Sequence, residues 1–242
     1  MRLSVVIPMY NESENADALL QEVRSALSGH DDYEIVVVDD GSNDGTWERL
    51  LALREQMPEL QPRRHRGNFG QSAAIVSGVQ AARGQWIATL DGDGQNDPAD
   101  IPQLISEMTR QRANKVPLAL IAGQRRKRND TWLRRLSSRI ANGVRQSMLK
   151  DGCADTGCGL KVFSRDAFMA LPHFDHMHRF LPALFQRAGG VVVNIPVNHR
   201  PRMRGQSKYG VWNRVWVGIV DIAGVMWLQR RPCRPELEHE SR

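Results

Sequence analysis

The chain has little cysteine, little aromatic character and no long apolar run. Its three cysteines among 242 residues, Cys153, Cys158 and Cys233, form no Cys-x-x-Cys pair. A sparse, odd set argues against a disulfide framework and for a reducing compartment. The same scarcity disfavours zinc. His173, His176 and His178 stand together without a cysteine pair and read as surface or lip residues. Aromatic residues make up 6% and no RNA-binding signature accompanies them, which weakens a nucleic-acid reading. The apolar stretch from Val215 to Leu228 contains Asp221 and falls short of the ~20 residues a membrane span needs, so no transmembrane helix is predicted. The start, Met1 to Pro8, is too short an apolar run for a signal peptide. Repeats and low-complexity linkers are likewise absent.

What is present is ordinary in bulk, 41% hydrophobic and 25% charged, enough for a sizeable core. The net charge of +6 implies an anionic partner: nucleic acid, a phosphorylated substrate or an anionic membrane. Hydrophobic periodicity predicts alternating elements. Strands are expected over Leu3–Pro8, Tyr33–Val38, Gln85–Leu90, Pro117–Gly123 and Gly189–Pro196. Helices are expected over residues 15–27, 46–56, 70–82 and 98–112, with a basic amphipathic helix over 129–150. Trp132, Leu133, Leu136, Ile140, Val144 and Met148 form the apolar stripe of that helix. Strand–helix alternation predicts an α/β fold with a mostly parallel sheet flanked by helices and ligands at the strand carboxyl ends. Residues 1–210 are expected to form this domain. Residues 211–242 are expected to add an amphipathic helix and a polar tail.

Two acidic motifs fall at such strand ends. Asp91-Gly-Asp93-Gly-Gln95 follows the strand Trp86–Leu90, and Asp39-Asp40-Gly-Ser follows Val36-Val37-Val38. Carboxylates at i and i+2 repel each other. A divalent cation relieves that repulsion, and hard oxygen ligands suit Mg²⁺ or Mn²⁺ holding a phosphate-bearing substrate. A plain polar turn is the alternative, since Asp and Gly are turn residues.

Taken in order, Val6-Ile-Pro8-Met-Tyr10-Asn-Glu12, Val38-Asp-Asp40-Gly-Ser, Gly67-Asn68-Phe-Gly70 and Leu90-Asp91-Gly-Asp93 resemble the family 2 glycosyltransferases over about the first 200 residues. The resemblance implies a GT-A (Rossmann-like) nucleotide-diphospho-sugar transferase fold. It also implies a nucleotide-sugar donor and an Mg²⁺ or Mn²⁺ cofactor. Pro8, Tyr10, Glu12, Asp40 and Asn68 would line the donor pocket, with Asp91 over ribose and metal and Asp93 as the metal position. Glu12 also suits a helix N-terminus, where an acid complements the dipole. Asn68 and Gly70 also suit a loop-shaping role.

A narrower resemblance is to the polyprenyl-phosphate glycosyltransferases. It rests on Asp91-x-Asp93-x-Gln95 with Pro98, on Asp155-Thr-Gly-Cys-Gly-Leu-Lys-Val-Phe, and on Arg202-Met-Arg-Gly-Gln-Ser-Lys208-Tyr-Gly. It implies metal contact by Gln95 as well as Asp91 and Asp93, and a phosphate-covering loop with Arg202 and Lys208. It also implies that Asp155 positions the acceptor or assists its deprotonation, although an N-cap or turn aspartate is the other reading. Arg125, Arg134, Arg135, Ser138 and Arg139 would draw in a polyprenyl phosphate, undecaprenyl or dolichyl, since guanidinium forks fit phosphate. The expected reaction is an inverting displacement by a peripheral enzyme on the cytoplasmic face of the membrane. The last helix is expected to meet the membrane, a membrane protein, its own domain or a second copy. A saccharide acceptor is the alternative within the family. A basic nucleic-acid module is the alternative outside it, disfavoured by the paired aspartates at the strand ends.

Overall fold

The computed structural model describes residues 2–30, 32–116, 119–126, 143, 145–201 and 211–231, with 211–217 described by backbone alone. The first half is a run of βα units. These are β1 (Leu3–Met9), α1 (Ser13–Ala26), β2 (Tyr33–Asp39), α2 (Thr46–Gln56), β3 (Leu60–Arg64), α3 (Gln71–Ala81) and β4 (Trp86–Thr89). A 3₁₀ turn at Pro98–Asp100 leads into α4 (Ile101–Ala113) and β5 (Ala119–Arg125). Then come β6 (Lys161–Ser164), α5 (Arg165–Met169), α6 (Leu181–Arg187), β7 (Val191–Val197) and α7 (Val211–Arg230).

The seven strands form one sheet in the order β3-β2-β1-β4-β6-β5-β7. All neighbours are parallel except those of β6, which runs against both β4 and β5. One reversed strand therefore brings its amino end to the edge where β1, β2, β4 and β5 place their carboxyl ends.

Side chains alternate through the sheet with the period of two that strands impose. Val5 and Ile7 face a core with Leu20 and Val23 of α1, Leu50 of α2 and Leu104 of α4. Val6, Val36 and Val38 face the other core, with Val79 of α3, Phe168 of α5, Leu184 and Phe185 of α6 and Val225 of α7. Burial on both faces explains why the strands read as unbroken β-branched runs. Each buried Leu, Ile or Phe contributes about 1.5–3 kcal/mol.

Three differences from the periodicity reading have physical causes. β3 was not expected, because Pro62, Arg63 and Arg64 break an apolar pattern. As an edge strand paired, among the described residues, only with β2 it tolerates a proline, and its arginines keep other edges away. β6 was hidden because it is four residues long with Lys161 at its head. Of the expected 129–150 helix, residues 129–142 and 144 lie outside the described residues. At its far end Arg145 is 6% exposed and Leu149 2%, whereas Met148 is 42% exposed. The inward face is thus one position, about 100°, from the expected stripe. It is set by Arg145, whose Nη1 lies 2.7 Å from the buried Asp151 carboxylate and whose Nη2 donates to the Cys153 carbonyl at 2.7 Å.

The described part of α7 packs on the domain through Ile222, Val225 and Met226. Arg187 Nε donates to the Leu228 carbonyl at 2.7 Å, and His176 Nδ1 lies 3.3 Å from Asp221. Own-domain packing thus accounts for one face. Ile219 (52%), Val220 (68%) and Trp227 (61%) remain exposed on the other, with Ala223 and Gly224 between them. Among the described residues no helix is long and apolar enough to cross a membrane.

Candidate active site

The carboxyl ends of β1 and β2 are laced together. Asn11 turns the chain with φ 52°, and its main-chain N–H donates to Ser42 Oγ at 2.8 Å. The Glu12 N–H donates to Thr46 Oγ1 at 3.0 Å, and the Glu12 carboxylate, 8% exposed, accepts from Asn15 Nδ2 at 2.7 Å at the start of α1. Asp40 is buried and both its oxygens are engaged. Oδ1 meets His65 Nδ1 at 2.7 Å and the Phe69 N–H at 2.9 Å, and Oδ2 accepts the Gly70 N–H at 2.8 Å. It therefore pins the 65–70 loop across the end of β2. Beside it Asp39 faces Arg64 at 3.2 Å, and Arg64 lies over the Trp47 ring at 5.5 Å. Pro8 and Tyr10 are half-buried and Asn68 is exposed on this rim.

The Asp91–Gln95 loop sits next to that rim. A Cβ at Gly92 would meet the Pro8 carbonyl oxygen at 2.7 Å, so only glycine lets the loop lie on the end of β1. The Asp91 N–H donates to Asn96 Oδ1 at 3.1 Å, and the Gln95 N–H to Asp93 Oδ1 at 3.1 Å. Gln71 Nε2, from the first turn of α3, donates to Asp91 Oδ1 at 2.8 Å. Burial, reinforced by the Asp93 charge, pushes the Asp91 carboxyl up to about 6 against the opposing pull of Lys161 and Arg125. The chain later returns here: the Arg200 N–H donates to the Gln95 carbonyl at 2.9 Å, and Arg200 Nη2 bonds Asp97 at 2.7 Å.

The loop before β6 closes the other side. Arg125, at the end of β5, grips Asp155 with Nε to Oδ2 and Nη2 to Oδ1, both at 2.6 Å. Lys161 is 4% exposed, and its Nζ donates to the carbonyls of Thr156 and Cys158. The buried Cys158 thiol is pushed up to about 11 and is unreactive. A Cβ on Gly159 would fall 2.3 Å from the Asp91 carboxylate. Gly159→Ala must displace that carboxylate, and a misplacement of ~1 Å is worth about 100-fold in rate. The expected result is such a loss in kcat/KM with a modest fall in melting temperature, measured side by side.

Between these walls lies a cavity of about 350 Å³, lined by Asp91, Arg125, Asp155, Lys161, His178 and Arg179 among others. Of the residues singled out from sequence, Asp91, Arg125 and Asp155 meet in it. Asp93 and Gln95 follow on the Asp91 loop, and Pro8, Tyr10, Glu12, Asp40 and Asn68 lie at the ends of β1 and β2. Arg134, Arg135, Ser138, Arg139, Arg202 and Lys208 lie outside the described residues. Sequence reasoning passed over Gln71, Asn96, Lys161 and Arg179, and His178, read only as a surface or lip residue, lines the cavity. The available signal for Lys161 was a lone cation heading an apolar strand. For Gln71 it was a polar side chain at the first turn after Gly70.

A divalent cation fits this donor set. Among the described residues no group of three His, Cys, Asp or Glu side chains could enclose one. Two neighbouring carboxylates in a buried setting, one of them held off its ordinary ionisation, nonetheless favour a cation completed by ligands from a substrate.

Comparison with known proteins places the geometry. A family model described as glycosyl transferase family 2 matches residues 4–171. The dodecaprenyl-phosphate galacturonate synthase of Rhizobium johnstonii is 36% identical, over 97% of this chain and 69% of that protein. The undecaprenyl-phosphate 4-deoxy-4-formamido-L-arabinose transferase of Edwardsiella ictaluri is 35% identical, over 86% of this chain and 63% of that protein. The chain thus spans about two thirds of these relatives' length. Among solved structures, the mannosyltransferase of Pyrobaculum calidifontis in complex with GDP-mannose and Mn²⁺ superposes with a TM-score of 0.62 at 18% identity, covering 85% of this chain and 58% of that one. The glucosyl-3-phosphoglycerate synthase of Mycobacterium tuberculosis with Mn²⁺, UDP-glucose and glycerol 3-phosphate gives 0.67 at 16% identity, covering 94% and 79%. These two share the fold.

Proposed function

The chain belongs to glycosyl transferase family 2 and has the GT-A fold, and from that premise we propose that it is an inverting glycosyltransferase moving a sugar from a nucleoside-diphospho-sugar to a polyprenyl phosphate. The observation that carries this reading is the shared cavity. The Asp91 carboxylate and the Arg125–Asp155 fork line the same space, which supports a metal-bound diphosphate and an anionic acceptor meeting there. The names of the curated relatives, both polyprenyl-phosphate sugar transferases, support the acceptor class.

In this reading Asp91 and Asp93, with Gln95, hold Mg²⁺ or Mn²⁺. When bound, that cation neutralises charge on the departing nucleoside diphosphate, a Lewis-acid contribution of several kcal/mol. The rim at the ends of β1 and β2 takes the nucleoside. Arg125 presents donors to the acceptor phosphate, and Asp155 fixes the plane of that guanidinium. The acceptor phosphate is ionised near pH 7, so its oxygen attacks the sugar C1 without a strong base. The new O–C1 bond forms as the C1–O bond to the diphosphate breaks on the opposite face. Arg202 and Lys208 follow in the chain from Arg200, which is anchored on the Gln95 loop, and are assigned to the substrate phosphates.

The test is release of nucleoside diphosphate from UDP- and GDP-sugars, with and without Mn²⁺ and with and without undecaprenyl phosphate. Release that needs both, and is lost in Asp93→Asn, is the expected result. Turnover on a saccharide instead would overturn the lipid acceptor while keeping the donor site.

A greasy acceptor places the reaction at a membrane surface. The exposed stripe of Ile219, Val220 and Trp227 on α7 supports peripheral contact through that helix. Wild type should co-sediment with vesicles containing anionic lipid, and Trp227→Ser with Val220→Ser should reduce that binding several-fold. A dimer in solution that hides Trp227 would assign the stripe to a second copy instead.

A further inference from the structure

His178 has no part in the reaction as described, yet it lines the same cavity as Asp91 and Arg125. Its surroundings fix its proton. Ser72, in the first turn of α3, is 2% exposed, and its Oγ accepts the His178 main-chain N–H at 3.3 Å and lies 2.7 Å from His178 Nδ1. A hydroxyl has one proton to donate, and a buried hydroxyl proton without an acceptor is costly. Nδ1 is the acceptor within reach, so it is the unprotonated nitrogen. The ring also stays neutral. Burial, with Arg179, Lys161 and His176 beside it, pushes its pKa down to about 3.

A neutral ring with a bare Nδ1 carries its hydrogen on Nε2. That nitrogen has no hydrogen-bond partner among the described residues and is not among the fully enclosed polar atoms, and the residue that carries it lines the cavity. The cations there, Arg125, Lys161 and Arg179, suit anionic phosphate. A neutral N–H donor suits an uncharged oxygen. Of the substrate parts the cavity would hold, the sugar supplies those oxygens.

Resting on the glycosyltransferase reading, we propose that His178 is a specificity residue for the donor: held by Ser72 in the Nε2–H form, it donates a hydrogen bond to an oxygen of the sugar being transferred. It does not take up a proton during turnover.

The experiment compares wild type, His178→Ala, His178→Gln and Ser72→Ala. Titration calorimetry with Mn²⁺ measures UDP and GDP against UDP-glucose, UDP-glucuronate and GDP-mannose, and steady-state assays follow the productive donor. Loss of one neutral hydrogen bond should weaken nucleotide-sugar binding about tenfold in His178→Ala and leave the bare nucleoside diphosphate within about twofold. His178→Gln, which keeps an N–H donor, should recover most of the loss. Ser72→Ala, which releases the tautomer, should show a smaller loss of the same selectivity, and it serves if His178→Ala fails to fold. The pH–rate profile of His178→Gln should keep the wild-type shape between pH 5.5 and 8. Equal weakening of nucleoside diphosphate and nucleotide-sugar would overturn the proposal, as would a limb of the profile that vanishes with the imidazole. Wild type that binds no nucleoside diphosphate with Mn²⁺ would remove the donor-site reading itself.

Discussion

Asp91→Asn should melt at a higher temperature than wild type in metal-free buffer at pH 7.5 and should turn over on the order of 1000-fold more slowly. The stability half follows from the carboxyl's raised ionisation. Below pH 3.8 it is protonated in both folded and unfolded chains. Between 3.8 and about 6 the folded chain holds a proton that the unfolded chain has released, so each step towards alkaline pH favours unfolding. Above about 6 the cost is complete, on the order of 3 kcal/mol for a gap of that size. Asparagine keeps an oxygen for Gln71 and removes the charge that Asp93 repels. The activity half follows because the same charge is what a cation binds. Mn²⁺ should accordingly raise the wild-type melting temperature more at pH 7.5 than at pH 5, where protons compete, and should not raise that of Asp91→Asn. Scanning fluorimetry at the two pH values, with a nucleoside-diphosphate release assay, checks both halves. A variant less stable than wild type at pH 7.5 would show that Asp91 is held by its cationic neighbours rather than strained by burial.

Arg145→Met should be the most damaging single change away from the cavity. The guanidinium bonds the Asp151 carboxylate, which is 0% exposed, and the Cys153 carbonyl. Asp151 in turn accepts the Cys153 N–H at 3.2 Å. Removing one partner of a buried pair leaves the other charged without compensation, which typically costs 3–5 kcal/mol. In a domain of this size that lowers the melting temperature by on the order of 10 °C. The double variant Arg145→Met with Asp151→Leu should recover much of the loss, because apolar replacement of a buried pair is often neutral. Thermal melts of the single and double variants give the coupling directly.

The donor half of the molecule was legible in the sequence because its signals are local. β1, β2 and β4 are buried on both faces and appear as continuous apolar runs. Each is followed within two residues by Asp or Asn, where the chain must turn. The acceptor half was less legible. Lys161 and His178 belong to the cavity only because β6 runs backwards and the 174–179 turn folds under α3, relations between distant segments that no periodicity records. Asp155 was visible as a motif, but its fork with Arg125 joins positions 30 apart in the chain. Arg145 falls within the expected basic helix and has no signal of its own. Its burial is explained by Asp151, six positions away, which carries no helical signal of its own.

The reversed β6 also bears on time. Every residue of the donor rim and the Asp91 loop lies before residue 96, in βα units of which β1, β2 and β3 pair with their neighbours in sequence, whereas β4 joins β1 across a long separation, Leu3 to Trp86. The tie that closes the cavity, Thr89 Oγ1 to the Gly159 carbonyl at 2.7 Å, spans 70 residues. Contacts of long sequence separation form late, after their loop entropy has been met. Pulse-labelled hydrogen exchange during refolding should therefore protect β1, β2 and β3 before β4 and β6. During synthesis, the half that would grip a nucleotide would take shape while the half that would receive the lipid is still emerging from the ribosome.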